Sequence, residues 1–412
     1  MLAVVPGTRG LGIACALGLV IALAAVLLVL PSALAVCGRG VFWPAVPRAG
    51  DDTTSRGRVW RTVAHRVVLR PLLPLAGGVA LLAVMAAGLF GTTVGLSQVE
   101  KFRVPTESSV GLEVLAAHFD AGQAQPFVIV ARAADADAVT AAAESVTGVV
   151  RVSASGTSPD GDLVRLSVVG EPAPGTPDSR ALVVELRASV HTVTGADALV
   201  GGQGAADVDA RDGNLRDFLL IAPLILIVTF LVLVVLLRAL VAPLVLLAVN
   251  TLSAIAAVGA GAWLGRVAFG WDALDLPVPL LSFLFLVALG VDYTIFLVHR
   301  ARTEARVSGT RAGMVTALAT TGGVITSAGI VLAGVFAALG LLPLVTLGQI
   351  GLIVGIGVLV DTLVVRTLVV PALFSLLGDR MWWPSRPMTG GRSRNAEESE
   401  HVDVTPVLTT AG

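Results

Sequence analysis

VPLLSFLFLVALGVDYTIFLVHR, residues 278–300, decides the fold. It is apolar and long enough to cross a bilayer, since ~20 apolar residues rising ~1.5 Å each cover the hydrocarbon core. It carries one carboxylate, Asp292, beside Tyr293, the only tyrosine in the chain. On a helix from Pro279 to His299, Asp292 lies ~20 Å from one end and ~10 Å from the other, which is hydrocarbon depth. A charge there costs roughly 2.5 to 3.5 kcal/mol on insertion scales, so a substrate or proton path is the expected setting. The alternative is an aspartate hydrogen-bonded between helices, or a helix break that brings it to the surface.

Outside this stretch the composition is also that of a membrane protein. The chain has 412 residues, 55% of them hydrophobic, and a mean hydropathy of +0.87. A polytopic α-helical membrane protein is expected. The single lysine, Lys101, follows Glu100, so no GxxxxGK[ST] phosphate loop exists and uphill work needs an ion gradient or a partner. Cys15 and Cys37 both lie in or beside the first apolar run, which leaves no disulfide framework or thiolate zinc site. The five histidines are scattered. No metal, no cofactor and no enzymatic nucleophile-base motif is expected, and nothing points to nucleic acid.

Taken in order, residues 1–36 form a first transmembrane helix and residues 37–70 a basic loop. That loop holds Arg39, Arg48, Arg56, Arg58, Arg61, Arg66 and Arg70 against Asp51 and Asp52. Residues 71–91 form a second span, 92–217 a soluble insert, and 218–377 a bundle of five further spans. Residues 378–412 form a tail, disordered after 385 by its polar composition. The seven spans alternate so that the arginine-rich short connections share one side, which the positive-inside rule makes cytoplasmic. The insert is then extracytoplasmic, the C-terminus cytoplasmic, and the location the plasma (inner) membrane.

Within the insert, apolar alternation and turn signals predict strands at 126–131, 149–154, 163–169 and 198–201, with helices at 134–145 and 177–193. The order βαββαβ is the ferredoxin-like α/β pattern. Helices at 108–121 and 207–217 would join it to the neighbouring spans.

LPSALAVCGRGVFWP, residues 30–44, aligns without gaps to VPALFSLLGDRMWWP, residues 370–384. Pro31 meets Pro371, Gly38 meets Gly378, Trp43 meets Trp383 and Pro44 meets Pro384. Each closes an apolar run with aromatic residues suited to an interfacial belt. Two similar membrane exits are the plainer alternative, but four matches at identical spacing favour a true duplication. A true duplication predicts that the chain opens on the last helix of a unit whose earlier part is absent.

GVDYTIFLVHR (290–300), TALATTGGVITSAGIVLAGVFAAL (316–339), GQIGLIVGIGVLVDTLVVRTLVVPAL (348–373) and LGDRMWWP (377–384) are similar to one known family. The chain resembles the mycobacterial membrane protein large (MmpL) family of the resistance-nodulation-division (RND) transporter superfamily, from its first span to Pro384. The resemblance implies one half of a twelve-span exporter of lipids, siderophores or other hydrophobic compounds, driven by the proton gradient. The seven spans would match the sixth to the twelfth helices, and the insert the second porter domain. It makes Asp292 and Tyr293 the proton relay. The family has a second Asp-Tyr pair that this chain lacks. A complementary RND half or self-association is therefore implied, alongside a bilayer and a hydrophobic substrate. The alternative is a truncated or non-transporting membrane scaffold.

His299, seven residues after Asp292, falls on roughly the same helical stripe, as an exit group or as an ordinary interfacial histidine. Asp361, Thr362 and Arg366 form a possible second intramembrane polar site. Asp361 and Arg366 stand ~140° apart on an α-helix, which strains a direct pair. Asp361 is therefore expected to pair across to the helix of Thr320, Thr321, Thr326 and Ser327, and Arg366 to reach the cytoplasmic interface. A purely structural role for both is the alternative. Gly261/Gly265 and Gly351/Gly355 fit small-xxx-small helix packing.

Overall fold

The computed structural model describes residues 3–37, 58–96, 99–104, 107–118 and 121–385. Six helices are long and apolar enough to span a membrane, and a bent helix pair brings the number to seven if counted as one span. The protein is a polytopic α-helical membrane protein. The expected disorder after residue 385 and the first-copy positions 38–44 lie outside the described residues.

Helix α1 (Pro6–Cys37) buries none of its side chains against the other described residues. Its start is held by Asp217, whose fully buried carboxylate accepts hydrogen bonds from the Val4 and Val5 amides at 2.9 and 3.1 Å. A carboxylate at a helix N-terminus satisfies orphan donors and meets the positive end of the macrodipole.

The basic loop expected over 37–70 is in part helical. Helix α2 (Arg58–Leu69) runs into α3 (Leu72–Ala87) through a 99° bend at Arg70 and Pro71. Composition hid α2 because its arginines mask an apolar face. Ala64 and Val67 are buried, and Trp60 packs on a later helix, where a Cβ on Gly322 would meet its ring at 3.0 Å. Helix α3 alone, with sixteen residues, is shorter than the ~20 a straight span needs.

After α3, β1 (Thr93–Val94) pairs in parallel with β6 (Ala273–Leu274). Helix α4 (Glu107–His118) leads into the soluble domain. There β2 (Phe127–Arg132), α5 (Ala136–Glu144), β3 (Val149–Thr157), β4 (Leu163–Gly170), α6 (Pro177–Val190) and β5 (Leu199–Gly201) give a βαββαβ order. The sheet order is β3-β4-β2-β5, with every neighbour antiparallel. Alternation along β2 turns Phe127, Ile129 and Ala131 inward to meet Val139, Leu182 and Leu186 from the two helices. Helix α6 begins where Pro177 presets the first turn and the Thr176 hydroxyl accepts the Ser179 amide proton at 3.2 Å.

The bundle consists of α7 (Gln203–Leu237), α8 (Val241–Phe269), α9 (Val278–Ser308), α10 (Thr310–Leu339) and α11 (Val345–Val360). The joining helix expected at 207–217 is the start of α7, which continues unbroken into the span. Beyond α11 the chain winds as a π-helix over Asp361–Val369 and returns to α-helix in α12 (Val370–Leu377). Close packing uses the expected glycines: a Cβ on Gly261 would meet Ile353 at 2.4 Å, and one on Gly351 the Phe336 carbonyl at 2.4 Å.

Residues 378–385, the start of the expected tail, pack into the bundle. Met381 and Trp382 are fully buried, and the Trp382 indole donates to the Thr310 hydroxyl at 2.9 Å. At the opposite end, the linker before the soluble domain is strapped down. Phe102 bridges Leu344, the Arg103 amide donates to the Pro343 carbonyl at 2.9 Å, and the Arg103 guanidinium donates to the Gly340 carbonyl. The same guanidinium lies over the Phe269 and Trp271 rings, 5.5 and 5.8 Å from their centroids.

Candidate functional site

Helices α8 and α9 approach closely at Gly290. A Cβ there would come within 2.0 Å of the Asn250 Oδ1, so only glycine leaves room for the amide. The Asn250 side chain, itself buried, donates to the Val287 carbonyl at 3.1 Å. Hydrophobic patterning passes over Asn250. The available signal is a lone amide inside the apolar run of α8, where an unpaired polar group would be costly in lipid.

The Gly290 carbonyl accepts from two donors. The Thr294 hydroxyl reaches it from one turn away at 2.6 Å, and Arg366 reaches it from the π segment at 3.1 Å. Arg366 also donates to the Leu289 carbonyl at 3.3 Å. Its guanidinium lies over the Tyr293 ring, 4.9 Å from the centroid. An arginine on an aromatic face gains cation-π attraction, which grows when both groups are out of water.

Arg366 is 2% exposed, so it does not reach the interface as expected. Nor does Asp361 pair across to α10. It forms a buried ion pair with Arg366 within the same helical run. The reason is the winding. An α-helix separates residues five apart by ~140°, whereas i→i+5 winding stacks them. The Val370 amide donating to the Val365 carbonyl marks that wider turn.

Two of the α10 hydroxyls expected at this site, those of Thr321 and Ser327, stay in their own helix. Thr321 donates to the Ala317 carbonyl at 2.8 Å and Ser327 to the Val324 carbonyl at 2.9 Å, so neither joins Asp361. Thr362 is the member of the expected set that touches α10, through Gly329, where a Cβ would meet its hydroxyl oxygen at 2.5 Å.

Between these helices is a cavity of about 10 Å³ lined by Asn250, Ser253, Tyr293, Asp361, Thr362 and Arg366, close to the space one water needs. The Arg366 Nε and Nη1 are buried with no hydrogen-bond partner among the described residues. The cluster thus places a buried carboxylate, a guanidinium and a tyrosine around one water-sized space.

Asp292 stands apart from this cluster. It feels the Arg366 charge, yet its side chain makes no hydrogen bond or ion pair among the described residues. It is exposed on an outward stripe of α9 with Phe285, Ala288, Phe296 and His299. Asp292 and Tyr293, adjacent in sequence, therefore address different surroundings: the tyrosine faces the bundle interior and the carboxylate a surface that the other described residues leave uncovered. A second cavity, of about 300 Å³ and mostly apolar, opens where α7 meets the start of α9, with Leu215, Phe218, Leu276 and Leu280 as walls and Arg211 and Asn214 at its polar edge.

Residues 1–74 and 106–406 match the MMPL family. The chain is 43% identical over 390 residues to the putative membrane protein ActII-3 of Streptomyces coelicolor, an alignment covering 93% of this chain and 54% of that protein. It is 31% identical over 407 residues to the apo-petrobactin exporter of Bacillus anthracis, covering 92% and 54%. Similarity to the sulfolipid-1 exporter MmpL8 of Mycobacterium tuberculosis is 36% over 274 residues, covering 62% and 24%. The chain spans about half the length of the first of these relatives.

Proposed function

The chain belongs to the MMPL family, and we propose that it is one half of a membrane exporter that uses the proton gradient to move a hydrophobic or lipid-like small molecule outward. The observation that carries this reading is the buried Asp361–Arg366–Tyr293 cluster set against Asp292 at mid-span. Ionisable groups at that depth are expensive and mark ion paths. Two relatives named as exporters, of apo-petrobactin and of sulfolipid-1, favour the substrate class.

In this scheme Asp292 gains and loses the proton. Arg366 supplies a fixed positive charge near it, and Asp361 holds Arg366 in the bundle. Tyr293 and a water in the small cavity would link the two acids. The exposed stripe around Asp292 is the surface on which a complementary RND half, or a second copy, would sit. The βαββαβ domain is read as a ferredoxin-like porter domain outside the plasma membrane, with the arginine-rich ends cytoplasmic. The apolar cavity by Phe218 would receive the substrate's apolar part.

The test is proton release from dye-loaded vesicles holding the purified chain together with whatever half co-purifies. Asp292→Asn is expected to abolish gradient-driven flux while leaving the amount inserted unchanged. Undiminished flux in that variant would remove Asp292 from the relay. One observation favours the second reading, a non-transporting membrane scaffold: among the described residues Asp292 has no hydrogen-bond partner. Absence of proton flux from every assembly of the wild-type chain would establish that reading instead.

A further inference from the structure

At the arginine-rich end of the bundle three segments converge. The Arg302 guanidinium, near the end of α9, lies 5.9 Å from the centroid of the buried Trp382 ring. Its Nη2 donates to the Ser385 hydroxyl at 3.2 Å, and that hydroxyl donates to the Arg238 carbonyl. The Leu240 amide donates to the Trp383 carbonyl at 2.8 Å, which clips residues 383–385 against the α7–α8 turn. Arg238 occupies that turn in a left-handed conformation, φ 42°. Arg306 follows Arg302 by one helical turn.

The charges that Arg302 feels are both positive, those of Arg306 and Arg238. The nearest acid in sequence, Glu304, is turned to Arg300 at 2.8 Å. Among the described residues no carboxylate pairs with Arg238, Arg302 or Arg306. The Arg302 Nε is buried and has no hydrogen-bond partner there. Three guanidinium groups gathered without an acid repel one another, and a buried unpaired N–H adds a desolvation cost. An anion removes both penalties, and guanidinium forks match the oxygens of a phosphate.

The apolar neighbours say which anion. Val235, Leu236, Leu240, Val307 and Trp383 flank the cluster and are all exposed, at the ends of helices that span the bilayer. A soluble phosphate has no use for that surface, whereas a lipid lays its acyl chains along it. We propose that Arg238, Arg302 and Arg306 hold the phosphate-bearing headgroup of an anionic phospholipid. The bound lipid pins the stretch after α12 to the α7–α8 turn, independently of whether the protein transports anything.

The test uses the full chain, purified in detergent and equilibrated with mixed micelles of equal parts phosphatidylglycerol and phosphatidylcholine, with retained lipid measured by mass spectrometry. Wild type is expected to retain phosphatidylglycerol preferentially. Arg306→Gln, an exposed position that leaves the packing intact, should lower that retention about fivefold, the effect of one arginine near a membrane surface. Arg302→Gln should do so at least as strongly, and Arg165→Gln on the soluble domain should not. Millimolar inorganic phosphate should leave the lipid in place. Equal retention of the two lipids, an unchanged preference in Arg306→Gln, an equal loss in Arg165→Gln, or displacement by phosphate would each overturn the assignment.

Discussion

Asp361 and Arg366 meet five residues apart because the helix between them winds with a π turn. The pair is buried, so neither charge has bulk water to replace its partner. Removing one partner of a buried pair costs roughly 3 to 5 kcal/mol, because the other charge is left uncompensated, whereas replacing both can be neutral. Arg366→Met is therefore expected to lower the thermal unfolding midpoint in detergent sharply. Asp361→Leu combined with Arg366→Met should recover most of that loss. Equal destabilisation by the single and double variants would mean that the pair is not coupled.

Gly290 and Asn250 are predicted to be coupled as well. A methyl group on Gly290 would come within 2.0 Å of the Asn250 Oδ1, and overpacking of this kind costs about 1 to 3 kcal/mol. Gly290→Ala should destabilise the protein, and adding Asn250→Ala should restore part of the stability. A thermal-shift double-mutant cycle measures the coupling, and additive effects would count against the contact.

The soluble domain offers a simpler contrast on one helix. Leu186 is fully buried, whereas Val184, two residues earlier, is 57% exposed. Leu186→Ala should cost about 2 to 5 kcal/mol, and Val184→Ala should stay within about 0.5 kcal/mol. Limited proteolysis of the domain, compared between the two variants, reads the difference.

The strap at Arg103 should be locally detachable. Arg103→Ala removes the bond to Gly340 and the stacking on Phe269 and Trp271 together. Cleavage by chymotrypsin at Phe102 is expected to accelerate while the spans keep their helicity by circular dichroism. Unchanged cleavage would show that the backbone bridge to Leu344 holds the linker alone.

Much of this architecture can be read along the chain, for identifiable reasons. Apolar runs of bilayer length announce themselves, and strict alternation along Phe127, Ile129 and Ala131 signals a half-buried strand. Helix α2 is harder, because the exposed Arg61 and Arg66 dilute the face formed by Trp60, Ala64 and Val67. The polar centre is harder still. Asp292 and Tyr293 stand out as rare residue types at depth, but the side each faces depends on which helices pack beside α9. The Asp361–Arg366 contact is invisible to any argument that assumes 3.6 residues per turn. Asn250 has no periodic signature and becomes conspicuous only once Gly290 brings α8 and α9 together.

The wide winding between Asp361 and Val369 has one more consequence. Deleting a single residue between the acid and the arginine would leave them four apart, which ordinary α-helical winding also stacks on one face. The contact can thus survive a change in chain length that elsewhere in the bundle would swing every later side chain by ~100°. Loss of one residue here is therefore expected to leave the Asp361–Arg366 contact in place.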